Sequence, residues 1–229
     1  MNAQRSMFRA ALVAVVVSAP VAAFAQSGAK LPADIDAKSL ARVPYVTRQD
    51  LGEAGQKLAS IFLPKTNGQP TDTLTGPLAF SSYNVPVANA LLDLHDGAVG
   101  KSSSLNAHVR ELAIMTACRE TNYNLEYNGH EAAALKAGVD PKVLEVIRTG
   151  GSLKGLDEAD AAVIQFGREL IGKRNMSSDT FAKVAKLYGN KGALDVVAVM
   201  STYAVSGFYA IAVDEHAPAG KPSLPSLTK

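Results

Sequence analysis

From Leu105 to Gly189 the chain alternates helical runs with helix-stop residues, and this punctuation commits most of it to a bundle of helices. One run spans about Leu105 to Glu120. After a short Asn-rich break a second spans about Asn124 to Ala137 and stops at Gly138, a residue suited to a left-handed cap. Asp140-Pro141 opens a third through Ile147, closed by Gly150-Gly151. A fourth starts near Asp157 and reaches about Ile171. Ser177 caps a fifth from Ser178 to Tyr188, with Gly189 beyond it. The last, about Gly192 to Ala212, carries Val196, Val197, Val199, Met200, Tyr203 and Ala204 and is apolar on most faces. A helix of that kind is buried or packed at a subunit boundary. No strand-like alternation longer than a few residues competes, so the fold class is all-α, with about six to eight helices.

Upstream, Thr47 predicts the cap of a helix from about Arg48 to Phe62, in which Leu51, Ala54, Leu58, Ile61 and Phe62 recur at helical steps. Pro64 to Pro77 reads as a loop. Pro86 suits a first helical turn, and Val87, Ala90, Leu91 and Leu94 are expected on its apolar face, with Gly97 and Gly100 ending it.

The ends read differently. Arg5 and Arg9 precede an apolar run from Ala10 to Ala23, then Ala23-Phe24-Ala25, the pattern of a signal peptide cleaved after Ala25. The run is too short for a comfortable membrane span. The formal charge of +2 comes from 23 basic and 21 acidic residues, and removal of Arg5 and Arg9 brings it to zero. A neutral chain lacks the concentrated basic surface that nucleic acid demands. The expected location is periplasmic or secreted, with no membrane attachment after cleavage. Residues 26–46 are expected as an extended arm, 47–216 as one helical domain, and 217–229 as a flexible tail. With Cys118 as its single cysteine the chain makes no internal disulfide, and the apolar run around that residue predicts a buried, inert thiol.

Chemistry concentrates in the second central run. Glu126 and His130 are four residues apart and share a helix face. A carboxylate beside an imidazole raises its pKa and fixes its orientation. Tyr123 and Tyr127 lie close to the same face, and a helical hairpin would bring Glu111 back to it. Such a cluster among Ala113, Ile114, Ala117, Ala132, Ala133 and Leu135 has to be mutually hydrogen-bonded. It serves either as a catalytic site or as a buried network tying two helices together. A metal reading takes Glu111, Glu126 and His130 as ligands, with His108 or His216 as a fourth, but the spacing matches no standard zinc motif. His95, near a helix end, is expected to act as a cation on the helix dipole.

Arg110-Glu111-Leu112, then Tyr123-x-x-Glu126-Tyr127-x-x-His130 and Ala132-x-x-Leu135-x-x-Gly138, resemble the carboxymuconolactone decarboxylase family, which includes the alkylhydroperoxidase D-like proteins. The likeness covers roughly Gly76 to Ala212. The peroxidase branch has Cys-x-x-Cys where this chain has Tyr123 and Glu126, and Cys118 stands outside the motif. Dithiol chemistry needs both cysteines, so the resemblance implies the non-thiol branch. It implies an alkylhydroperoxidase D-like bundle, a cofactor-independent lyase and assembly as a trimer or hexamer. His130 would be the general acid/base oriented by Glu126 or Glu111, Tyr123 and Tyr127 oxyanion donors, and Arg110 or Arg119 the clamp for a small lactone or carboxylic acid. No resident metal or cofactor is implied. A non-catalytic helical binding or assembly protein stands as the alternative, beside a thiol-independent peroxidase-related enzyme or a metal-dependent one.

Overall fold

The computed structural model describes residues 31–53, 55–56, 58–59, 65–66, 69–70, 72–76, 79–218 and 223–227. The expected signal peptide, residues 26–30 of the expected arm, and Ala54, Ile61 and Phe62 of the expected first helix lie outside these. Among the described residues six α-helical elements carry the fold: α1 (Val85–Val99), α2 (Ala107–Glu120), α3 (Asn124–Lys136), α4 (Pro141–Thr149), α5 (Glu158–Gly167) and α6 (Ser178–Val213). A π-helical turn, Arg168–Lys173, extends α5. The punctuation residues do what their chemistry predicts. The side chains of Asp140, Asp157 and Ser177 accept the first free helix N–H groups, and Asn84 and Asn106, not singled out in the sequence, do the same for α1 and α2. Gly150 takes the left-handed cap of α4, and Gly138 has a φ of +87° just past α3. Gly189 (φ +71°, ψ 170°) is non-helical and divides α6 into two helical runs at a kink, as its place in the sequence predicts.

The core centres on α2. Leu112, Ala113, Ile114, Met115, Ala117 and Cys118 are all at most 1% exposed, because α3, α4, α5 and α6 pack around the helix. Gly207 of α6 touches its end, where any Cβ would meet Thr121 at 2.4 Å from Oγ1 and 2.7 Å from Cβ. Helix α6 is long and apolar enough to cross a membrane by length and composition alone, with a mean hydropathy of 1.8 over 18 residues. Here it packs on α1, α2 and α5 through Ala193, Val196, Val199, Met200 and Tyr203. Its outer side leaves Leu194, Phe208 and Ile211 between 56% and 60% exposed.

Four expectations are corrected. Residues 31–46 are not extended: they turn, bridge Asp36 to Ala41, and dock on the end of α6 through Arg42 N–H to Val213 O (2.7 Å). Between Arg48 and Glu53 the chain makes turns in place of a regular helix, although Thr47 Oγ1 does accept from Asp50 N–H and Leu51 and Leu58 are buried. Gly52, at φ +57°, breaks the helical path there. On α1 the buried residues are Ala88, Leu92, Ala98 and Val99, while Val87 and Leu94 face outward. That helix is apolar on several sides, so periodicity does not choose the face and packing on α6 does. Gly97 lies inside α1, which Gly100 ends. Finally, residues 223–227 dock on the bundle: Leu224 is buried in the main core, its N–H donates to Asn124 Oδ1, and Pro225 O accepts from Arg119.

Candidate functional site

The site starts with a chain reversal. After α2, Thr121 N–H donates to Ala117 O, Asn122 adopts φ +54°, and Tyr123 N–H reaches back to Cys118 O at 2.8 Å. This tight link returns α3 along α2 as a hairpin and places His130 opposite Glu111, nineteen residues earlier. Glu126 occupies the first turn of α3, where the helix N-terminus favours a negative charge.

The imidazole is held from both sides. His130 Nδ1 lies 2.9 Å from Glu111 Oε2, and Nε2 lies 3.3 Å from Glu126 Oε1. The three side chains retain 14%, 12% and 9% of their exposure, for His130, Glu111 and Glu126 respectively. Burial alone would pull the His130 pKa down. Hydrogen bonds and charge from Glu111 and Glu126 outweigh it and raise the value to about 9. At neutral pH His130 is therefore an imidazolium donating both N–H groups to carboxylates.

Tyr203 of α6 closes the inner side, its buried ring meeting His130 edge-on at 5.1 Å between centroids. His95 of α1 lies 6.2 Å beyond, ring to ring with Tyr203. Its Nδ1 is buried without a hydrogen bond, since Asp96 stands 3.6 Å away. Burial lowers the His95 pKa more than Asp96 and Glu126 raise it, so His95 is neutral. The expected dipole-complementing cation is replaced by a neutral ring facing the site, because α1 continues to Val99 past it. Cys118 is fully buried, and its thiol pKa is pushed up by burial and then by Glu126 and Glu111. That thiol is inert, as the sequence predicts.

The remaining sequence candidates divide. Tyr123, at the start of α3, is buried next to the cluster, where its hydroxyl senses both Glu126 and Glu215. Arg110 is near enough to Tyr203 to oppose the rise of its pKa. Tyr127 points away: its hydroxyl donates to Leu144 O of α4 at 2.9 Å, and Arg148 lies over its ring at 5.6 Å. Arg119 is spent on Asn122 Oδ1 and Pro225 O, which leaves it a structural tie between α2 and the C-terminal segment. Helical spacing put Tyr127 near His130, but a residue three positions before an inward-facing histidine falls on the α4 side. The metal reading also loses its fourth ligand, since His108 Nε2 pairs with Asp160 at 2.7 Å and His216 turns to Asp214. Among the described residues no three His, Cys, Asp or Glu side chains are grouped to hold a metal ion. Both imidazole nitrogens of His130 are already directed at carboxylates.

Sequence reasoning missed Tyr203 and His95 as neighbours of His130, and Glu215 as a neighbour of Tyr123. The one available signal was a tyrosine inside an otherwise apolar helix. Two surface clefts, of about 400 and 220 Å³, lie elsewhere, the first lined by Leu153, Ala161, Gln165 and Lys183 and the second by Asp140, Gly155 and Asp157. Neither is lined by Glu111, Glu126 or His130. The carboxylate–imidazolium cluster is the stronger candidate, because chemistry requires convergent ionisable groups as well as space.

No protein-family model matches this sequence, and no curated protein matches it. Solved structures do. An uncharacterized peroxidase-related protein from Silicibacter sp. TM1040 is similar at 16% identity and a TM-score of 0.60, over 80% of this chain and 95% of that one. The debrominase Bmp8 in its apo form is similar at 12% identity and a TM-score of 0.52, over 77% and 90%. A variant of Bmp8 in complex with 2,3,4-tribromopyrrole is similar at 12% identity and 0.54, over 76% and 90%. The fold is of the alkylhydroperoxidase D-like, all-α type. At these identities the likeness is one of fold.

Proposed function

We propose that this chain is a thiol-independent acid–base enzyme of the carboxymuconolactone decarboxylase kind, acting on a small lactone or carboxylic acid. The observation that carries this reading is the His130 imidazolium clamped between Glu111 and Glu126. Two carboxylates around one proton-bearing ring amount to a stored proton with a defined exit. The Nε2 contact to Glu126, at 3.3 Å, is the longer of the two and the easier to exchange for a substrate oxygen or carbon. In a decarboxylation, the C–C bond to the substrate carboxylate breaks and its electron pair passes into an enolate. The Tyr123 hydroxyl donates to the enolate oxygen, and His130 returns a proton to carbon. Glu111, at 2.9 Å, holds the ring while Nε2 changes partner. Arg110 supplies the positive charge for an anionic substrate.

The same reading carries export, with residues 1–25 removed, and self-assembly through the outer side of α6, where Leu194, Phe208 and Ile211 are unpartnered in the monomer. A trimer or hexamer is the expected form. Mutual saturation of His130, Glu111 and Glu126 favours a second reading, a helical assembly protein in which the cluster is only a tie. Turnover of a panel of lactones and carboxylic acids by the mature protein separates the two. The enzyme reading expects at least one panel member to be consumed, and His130→Ala to abolish that turnover while its helical circular-dichroism spectrum is kept. No turnover by the parent protein, or full turnover by the variant, overturns it.

A further inference from the structure

Glu215 has no role in the cluster so far described. It sits just beyond Asp214, whose left-handed conformation (φ +52°) ends α6. Its N–H donates to Ala210 O at 2.9 Å, and the next N–H, of His216, donates to Leu40 O at 2.8 Å. These two backbone anchors fix the carboxyl between the helix end and the N-terminal segment. Both carboxyl oxygens are shut off from solvent, and the Tyr123 hydroxyl is the near neighbour with which the carboxyl can exchange a hydrogen bond, though not in ideal geometry.

Its surroundings come from three elements. From α3, the Tyr123 hydroxyl faces the carboxyl and Glu126 lies close enough for its charge to be felt. From the N-terminal segment, the buried Tyr45 hydroxyl senses both Glu215 and Asp36. From its own element, His216 and Asp214 pair with each other at 3.5 Å. The Tyr123 hydroxyl thus has two carboxyl neighbours, Glu215 and Glu126. A buried carboxylate with no cation beside it and only the Tyr123 hydroxyl as a near donor is costly, so the group keeps its proton. Burial drives its pKa up, Tyr123 opposes the rise and Glu126 adds to it, which leaves a value of about 8.

We propose that Glu215 is a positioning residue of the His130 site, acting through Tyr123 by holding a proton that turns the tyrosine hydroxyl toward substrate. This deepens the acid–base reading and rests on it. A neutral Glu215 donates its O–H to Tyr123 Oη, and the tyrosine hydrogen is then directed to the Glu126 side, where substrate oxygen binds. When Glu215 loses its proton to solvent, Tyr123 turns its O–H to the new carboxylate and the donor is withdrawn from the site. One proton leaves and no other bond changes.

The test follows the Tyr123 ring-carbon resonance beside the hydroxyl, in full-length protein labelled with [13Cζ]tyrosine and assigned with Tyr123→Phe. The resonance is expected to move through a single midpoint near pH 8. Glu215→Gln, neutral at every pH, abolishes the movement, Glu215→Asp restores it at a shifted midpoint, and His130→Ala leaves it in place. A resonance fixed from pH 6 to 10, or one moving with an unchanged midpoint in Glu215→Gln, overturns the inference. Turnover with an unmoved Tyr123 removes this inference alone, whereas a moving Tyr123 without turnover removes the enzyme reading and with it the role of Glu215 toward a substrate, leaving only the proton coupling of Glu215 to Tyr123.

Discussion

Tyr203 meets His130 edge to face, with ring centroids 5.1 Å apart and ring planes at 89°. The contact joins α6 to the α2–α3 hairpin and fills the inner side of the imidazole with apolar ring. Both ring nitrogens are then left to Glu111 and Glu126, which keep only slight exposure. In so little water a cation between two anions is held more tightly than at a surface.

The first prediction concerns that cation. The folded His130 pKa, about 9, lies above the ordinary value of 6.5. A group with a raised folded pKa contributes stability fully below its unfolded pKa and loses it as pH climbs through the folded one. His130 should therefore stabilise the fold up to about pH 6.5, with the contribution fading between there and about pH 9. Side-chain NMR should show the ring titrating near the upper value, and Glu111→Gln should bring the midpoint down. A parent midpoint near the ordinary value is incompatible with the clamp.

How far the sequence reached is clearest along α3. Glu126, His130 and Glu111 were legible because two rules suffice: four-residue spacing on one helix, and a short link that forces a hairpin. Helix ends were legible for the same reason, since Asp140, Ser177 and Gly150 act through backbone groups a few residues away. What escaped depends on contacts distant in sequence. Tyr203 reaches His130 across 73 positions, and Glu215 reaches Tyr123 across 92. Neither spacing leaves a local pattern. The docking of Leu224 on Asn124 likewise has no trace in a Pro- and Ser-rich tail.

The second prediction separates the two tyrosines of the motif. Tyr127 is a structural residue that ties α3 to α4 through Leu144 O. Tyr127→Phe keeps the ring, its packing and the contact with Arg148, and removes one buried hydrogen bond, at a cost of about 1 kcal/mol. Urea unfolding should show that loss with an unchanged slope, and the His130 titration should not move. A displaced His130 midpoint in this variant would place Tyr127 in the site after all.

The last prediction concerns Gly207, which sets how closely α6 approaches the end of α2. A Cβ at this position would lie 2.4 Å from Thr121 Oγ1, 2.7 Å from Thr121 Cβ and 3.2 Å from its Cγ2. Thr121 cannot swing aside cheaply, because its hydroxyl donates to Ala117 O at 2.9 Å and its N–H is bonded to the same carbonyl. The helices have to separate instead. Separation loosens Tyr203, four residues before Gly207 on the same helix, against His130. Gly207→Ala should therefore destabilise the protein by about 1–3 kcal/mol, the usual cost of overpacking, even though alanine is the better helix former. It should also lower the His130 pKa toward its ordinary value as water reaches the ring. Pairing it with Thr121→Gly, which removes all three contacting atoms, should recover much of the loss in a double-mutant cycle. Equal destabilisation by Gly207→Ala in both backgrounds would show that the close approach of α6 to Thr121 is not what the glycine provides.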